Sequence, residues 1–204
     1  MGYEWDLFVS YPRRAPIGLW VCDRLLPVLK LWLGAAMPVA PKIFVDQDEI
    51  PNGAHWPSHL ADALLKSKYM LAVLAPPYFG SGWCISEGNS MKEREARLGL
   101  GHGGARGLMR VIRYFDGASF PPYAQSIQTD DYTAYNRFPN GKREPKSKLY
   151  NEFVAAVQTL SLDLAAQIAD SPQWDPTWPV LASPDPNFSA SLIFNNIALT
   201  GVIT

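Results

Sequence analysis

The run Tyr69-Met70-Leu71-Ala72-Val73-Leu74 is apolar at every position, so a strand built from it can show neither face to water. Such a segment reads as the middle strand of a parallel sheet with helices on both faces. The neighbouring segments fit that plan. Trp5 to Ser10 is a short β-prone run, and Ile17 to Leu33 carries the apolar stripe of a helix that Pro27 should kink. Lys42 to Val45 is a strand that stops at Asp46, and Asp46 to Gly53 has the Pro/Asn/Gly chemistry of a loop. Pro57 suits the first turn of a helix with Leu60, Ala61, Leu64 and Leu65 on its core face. A helix from Ser81 to about Leu98 follows the middle strand. Leu108 to Tyr114 gives a fourth strand, and Ser126 to Asp130 a weaker fifth. A long amphipathic helix closes the series from Ser147 to Ile168, with Leu149, Phe153, Val157, Leu160 and Leu164 facing inward. Strands alternating with helices predict an α/β fold with a parallel sheet and right-handed crossovers.

A chain of 204 residues suits one domain with some decoration. The pattern breaks at Ser171: five prolines fall between Pro172 and Pro186, and a mostly apolar run follows from Ala190. We therefore divide the chain into a domain over 1–170 and a Pro-rich C-terminal extension over 171–204, expected to pack on the domain or on a partner. Eighteen basic against 19 acidic residues give a net charge of −1, with no run of Lys/Arg interleaved with aromatics, which argues against direct contact with nucleic acid. Cys22 and Cys84 lack metal-type spacing and fit a reducing compartment, and His55, His59 and His102 form no metal-ligand set. The N-terminus has acidic residues where a secretory signal carries positive charge, and Asp23, Arg24 and Lys30 interrupt the best apolar stretch. These features predict a cytoplasmic protein that does not enter a membrane.

In an open parallel sheet, ligands sit beyond the carboxyl ends of the strands. The loops there hold Tyr11, Arg13 and Arg14; Asp46, Asp48 and Glu49; and Ser81, Trp83, Cys84 and Glu87. Alone, each has an ordinary explanation. Glu87 suits the first turn of a helix, where the dipole favours an acid. Trp83 could be a core residue or a stacking surface, and Arg13 and Arg14 a solvated pair or a phosphate clamp. Cys84 reads as a small buried hydrophobe, since no histidine has an evident place beside it. The acidic pocket of a response-regulator receiver is excluded, because Leu74-Ala75-Pro76 stands where its phospho-acceptor Asp should be. Gly101 to Gly107 lies between a helix and the next strand, the wrong order for a phosphate loop.

Taken together, these segments resemble the TIR (Toll/interleukin-1 receptor) domain family. Asp6-Leu7-Phe8-Val9-Ser10-Tyr11 looks like its first signature box, and Ile43-Phe44-Val45-Asp46 with Ile50-Pro51-Asn52-Gly53 like its second strand and BB loop. Ser81-Gly82-Trp83-Cys84-Ile85-Ser86-Glu87 looks like the catalytic-helix motif of the NAD-cleaving prokaryotic members, while Pro12 departs from the commoner arrangement. The resemblance runs from Tyr3 to Ile168. It implies a flavodoxin-like, five-stranded parallel sheet in the order 2-1-3-4-5. It further implies an NAD+ glycohydrolase or ADP-ribosyl cyclase that splits the nicotinamide-ribose bond, with Glu87 as the essential residue and NAD+ as substrate, no cofactor being needed. Ser10, Tyr11, Arg13, Arg14, Asp46, Ile50, Ser81, Trp83 and Cys84 would surround the substrate. Ile50, Pro51, Asn52 and Gly53 would form the assembly contact with a neighbouring copy. By analogy such a protein serves anti-phage defence beside a sensor or effector protein. The competing expectation is a non-catalytic adaptor that recruits other TIR domains through its BB loop.

Overall fold

The structure is a computed structural model and describes residues 2–46, 56–100, 107–115, 117–125, 129–137 and 147–180. Its centre is a five-stranded sheet in the order β2-β1-β3-β4-β5: β1 is Trp5–Ser10, β2 Ile43–Val45, β3 Ser67–Leu74, β4 Met109–Arg113 and β5 Asp130–Asp131. All pairings are parallel, with Leu7 beside Ile43 and Tyr69, and Ala72 beside Val111. β3 is buried continuously from Tyr69 to Leu74, so both faces of the sheet are covered, as its sequence requires. β5 is described at Asp130–Asp131, meeting the expected strand at Asp130; residues 126–128 of that strand lie outside the described residues. Ion pairs fasten this edge: Arg110 holds Asp130 at 2.5 Å and Arg113 holds Asp131 at 2.6 Å.

The expected first helix is continuous but not uniform. It begins as α1 (Ile17–Trp20), passes through a π-helical turn at Val21–Leu25 and continues as α2 (Leu26–Ala36). Pro27 has no N–H to return to the preceding turn, and the wider turn just before it, closed by the Leu26 N–H on the Val21 carbonyl, absorbs the mismatch. The kink is thus a π-bulge. α3 (Trp56–Leu65) buries Leu60, Ala63 and Leu64; Ala61 and Leu65, expected inside, are only half-buried because Ala63 completes the inward stripe. After β3 come α4 (Pro76–Phe79) and α5 (Gly82–Arg97), and after β4 the single turn α6 (Pro122–Gln125). α7 (Lys148–Ala169) is capped by Ser147, whose hydroxyl accepts the Tyr150 N–H at 3.1 Å, and it buries Phe153, Val157, Leu160, Leu164 and Ile168, while Leu149 stays half-buried.

α7 packs against α2, and Phe153, with none of its surface exposed, plugs a ring cluster with Trp20 (6.0 Å), Tyr132 (6.4 Å) and Tyr135 (5.5 Å). Towards the C-terminal end of α5, Arg94 is wholly buried, with no carboxylate partner among the described residues, and burial pulls its pKa down to about 10. Its guanidinium donates to the carbonyls of Ser67 (2.9 Å) and Leu64 (3.1 Å) and lies 5.3 Å from the Trp178 ring centre. Arg97 adds a bond to the Thr177 carbonyl at 3.0 Å. The first ten residues of the extension, 171–180, therefore lie against the domain; 181–204 are outside the described residues. Phe153→Ala should destabilise the protein by about 3–5 kcal/mol, because a close-packed ring cluster cannot collapse into the space left. Urea denaturation checks this: the midpoint should fall with the slope unchanged.

Candidate functional site

The site forms where the carboxyl ends of β1, β2 and β3 release their chains into loops. Beyond β3, Pro76 and Pro77 start α4 with their fixed φ, and the Tyr78 N–H closes on the Ala75 carbonyl at 2.8 Å. This short turn brings the Tyr78 ring inward, where it is 4% exposed. Ser81 then caps α5, its hydroxyl accepting the Cys84 N–H at 3.3 Å. With the cap fixed, Trp83 and Glu87 stand one helical turn apart on one face of α5.

A pocket of about 260 Å³ is lined by Val9, Tyr11, Arg13, Asp46, Ser81, Trp83, Cys84 and Glu87. Six of the residues anticipated around the substrate are there with Glu87. Tyr11 donates to the Asp46 backbone carbonyl at 3.0 Å, and Arg13 pairs with the Asp46 carboxylate, so the ends of β1 and β2 are tied together at the rim. Arg14 is exposed and is not among the lining residues. Ser10, expected at the substrate, is instead 1% exposed and sits behind Glu87, since the alternation of β1 turns Val9 and Tyr11 to the pocket and Ser10 away from it. Ile50 and the BB-loop residues Pro51, Asn52 and Gly53 lie outside the described residues, as do Asp48 and Glu49.

Glu87 is 7% exposed. Burial drives its pKa up from the ordinary 4.5 to about 7, against the opposing pull of the Ser10 hydrogen bond and the Arg13 charge. Ser10 Oγ donates to Glu87 Oε2 at 2.5 Å, and Ser10 Oγ and the Tyr78 hydroxyl are 2.9 Å apart. Tyr78 was not singled out in the sequence; its signal was its place in the loop beyond the central strand, masked by two prolines that read as punctuation. Burial, and then the neighbouring Glu87 charge, push the Cys84 thiol up, which keeps it protonated and removes it as a nucleophile. Among the described residues no group of three or more His, Cys, Asp or Glu side chains could hold a metal ion, and no helix is long and apolar enough to cross a membrane.

The buried Glu87 carboxyl stands at the carboxyl edge of a doubly wound parallel sheet, the edge where ligands of such folds sit. A family model described as TIR domain matches residues 7–116, more than half of the 204. The chain belongs to the TIR domain family. Solved structures similar to it include the TIR domain of the Toll-related receptor TRR-2 from Hydra magnipapillata, with 14% identity, a TM-score of 0.43, and coverage of 76% of this chain and 98% of that one. Another is the TIR domains of the activated Roq1 resistosome directly recognising the pathogen effector XopQ, with 16% identity, a TM-score of 0.39, and coverage of 80% and 84%. Among curated proteins there is no significant match.

The raised pKa of Glu87 is also a statement about stability. The unfolded chain releases this proton near pH 4.5, while the folded protein holds it to about pH 7. Stability is therefore lost as pH rises from 4.5 towards 7, and above 7 the folded state carries the full cost of about 3 kcal/mol. Glu87→Gln removes that cost. The variant should melt several degrees above the parent at pH 8 and close to it at pH 4.5, as paired thermal scans will show.

Proposed function

We propose that this TIR domain is an NAD+ glycohydrolase or ADP-ribosyl cyclase that cleaves the nicotinamide-ribose bond, serving prokaryotic anti-phage defence. The observation that carries the reading is the Glu87 carboxyl, buried and facing a pocket rimmed by an arginine and a tryptophan. Nicotinamide leaves as a neutral heterocycle, so the leaving group needs little acid assistance. The barrier lies in the positive charge that develops on the ribose, and a carboxylate held against it stabilises that oxocarbenium-like state. Sparse solvation at Glu87 strengthens the attraction.

At about 260 Å³ the pocket is below the range of sites that enclose a whole drug-sized ligand, so it takes the nicotinamide-ribose end of NAD+ and leaves the rest at the rim. Arg13 stands there, and it would exchange Asp46 for a phosphate oxygen of the substrate. Self-association through TIR-TIR contacts, with Ile50 to Gly53 of one copy meeting another, would cover the exposed part of the dinucleotide.

Glu87→Gln should lower NAD+ cleavage by about 10²-fold or more while the domain stays folded. The parent's kcat/KM should rise with pH through about 7 and then level, because only the ionised carboxyl stabilises the cation. Nicotinamide release across a pH series checks both statements; full turnover by a folded Glu87→Gln protein would remove Glu87 from the mechanism.

The Trp83 indole, half-buried at the pocket, offers a face on which adenine can stack, folding NAD+ so that one of its own nucleophiles reaches the ribose cation before water does. Such stacking is worth roughly 1–3 kcal/mol, or about 10- to 100-fold in a product ratio. Trp83→Ala should shift products from cyclic to linear ADP-ribose, with total consumption changing less. Chromatography of the products decides it: a parent that makes linear ADP-ribose alone has no cyclase activity for Trp83 to direct.

A further inference from the structure

We propose that Tyr78 and Ser10 are positioning residues for Glu87: a directed hydrogen-bond chain, Tyr78 to Ser10 to Oε2, that pins the carboxyl in one orientation and leaves Oε1 for the ribose. The proposal rests on Glu87 being the carboxylate that meets the substrate. Its ground is proton counting. A serine hydroxyl has one proton to give. Ser10 gives it to Oε2 of Glu87 at 2.5 Å, so across the 2.9 Å contact with Tyr78 it can only accept. The direction of the whole chain follows, although that contact taken alone allows either group to donate.

All three groups are shielded from water, at 1% exposure for Ser10, 4% for Tyr78 and 7% for Glu87, so a misdirected proton would have no solvent to turn to. A proton placed on Oε2 would either reverse the chain and strand the Tyr78 hydroxyl, or make Ser10 accept from both sides and strand its own proton. Protonation is therefore confined to Oε1, the oxygen offered to the substrate, and the carboxyl cannot accept a proton and serve the ribose at once. The phenol is a dependable source: burial above all, with the neighbouring Glu87 charge, keeps Tyr78 protonated well above its ordinary range. Among the described residues, the other titratable or charged groups around the carboxyl are Arg13 and Tyr11 from the loop after β1, Asp46 after β2 and Cys84 on α5 itself. Of these, Arg13 favours the charged carboxyl, through its charge at the rim.

The test measures the carboxyl directly. In full-length protein carrying ¹³C-labelled glutamate, the Glu87 side-chain signal is assigned by its loss in Glu87→Gln and titrated without NAD+ in the parent, Ser10→Ala and Tyr78→Phe. Ser10→Ala should move the midpoint up by about one to two pH units, the worth of a hydrogen bond to a charged group, and Tyr78→Phe should give a smaller step in the same direction. The kcat/KM profile for NAD+ should move by the same amount in each variant, with the loss falling on kcat more than on KM. A Ser10→Ala protein that folds and titrates like the parent overturns the chain, as does a Tyr78→Phe midpoint that stays put. If the midpoints move as expected while the parent releases no nicotinamide, the chain stands and the catalytic reading of Glu87 falls.

Discussion

A sheet whose central strand is dry on both sides has nowhere to put polar chemistry except at its ends. β3 is out of water from Tyr69 to Leu74, and the helices that keep it so occupy both faces. Parallel pairing with β1 and β4 then aligns the carboxyl ends of neighbouring strands, so Ser10, Asp46 and the chain leaving Leu74 come to one edge though far apart in sequence. Neither Glu87 nor its partners would meet without this constraint. The short turn Pro76–Phe79 and the Ser81 cap only aim what the sheet has gathered.

The same burial that would serve Glu87 in the proposed reaction makes it expensive. A glutamate on an exposed first turn would gain a little from the helix dipole and cost nothing. Here the carboxyl loses most of its water and recovers part of the difference from the Ser10 hydroxyl and part from the Arg13 charge. The balance still leaves the neutral form favoured up to about pH 7. Stability set aside in this way at one residue is what the proposed role of Glu87 would require.

The sequence disclosed the strands best where burial was most complete. Tyr69 to Leu74 could belong only to the middle of a sheet, and the order 2-1-3-4-5 implied by the family resemblance is the order present. β5 was the faintest to read because an edge strand held by Arg110–Asp130 and Arg113–Asp131 carries no apolar pattern. Pro27 announced a disturbance without saying that a π-bulge would absorb it. At the site, Tyr11, Arg13, Asp46, Ser81, Trp83, Cys84 and Glu87 were legible as loop residues with chemistry, and they do meet at one pocket. Ser10 and Tyr78 were harder. Whether a hydroxyl faces the ligand or stands behind a carboxylate depends on strand alternation and on the path of a four-residue turn, and neither is written in residue type.

The contacts of Trp178 with Arg94 and of Thr177 with Arg97 fasten the segment after α7 to the last turns of α5, the helix whose first turns carry Trp83 and Glu87. α5 is therefore a rod gripped at both ends, by the pocket at one and by a belt of chain at the other. Tension applied to the chain beyond Val180 would be delivered through two arginines to the foot of that rod and, through Arg94, to the start of β3 at Ser67. A pull too weak to unfold the domain would still tilt or rotate the Glu87 carboxyl, roughly two to three helical turns along α5 from Arg94 and Arg97.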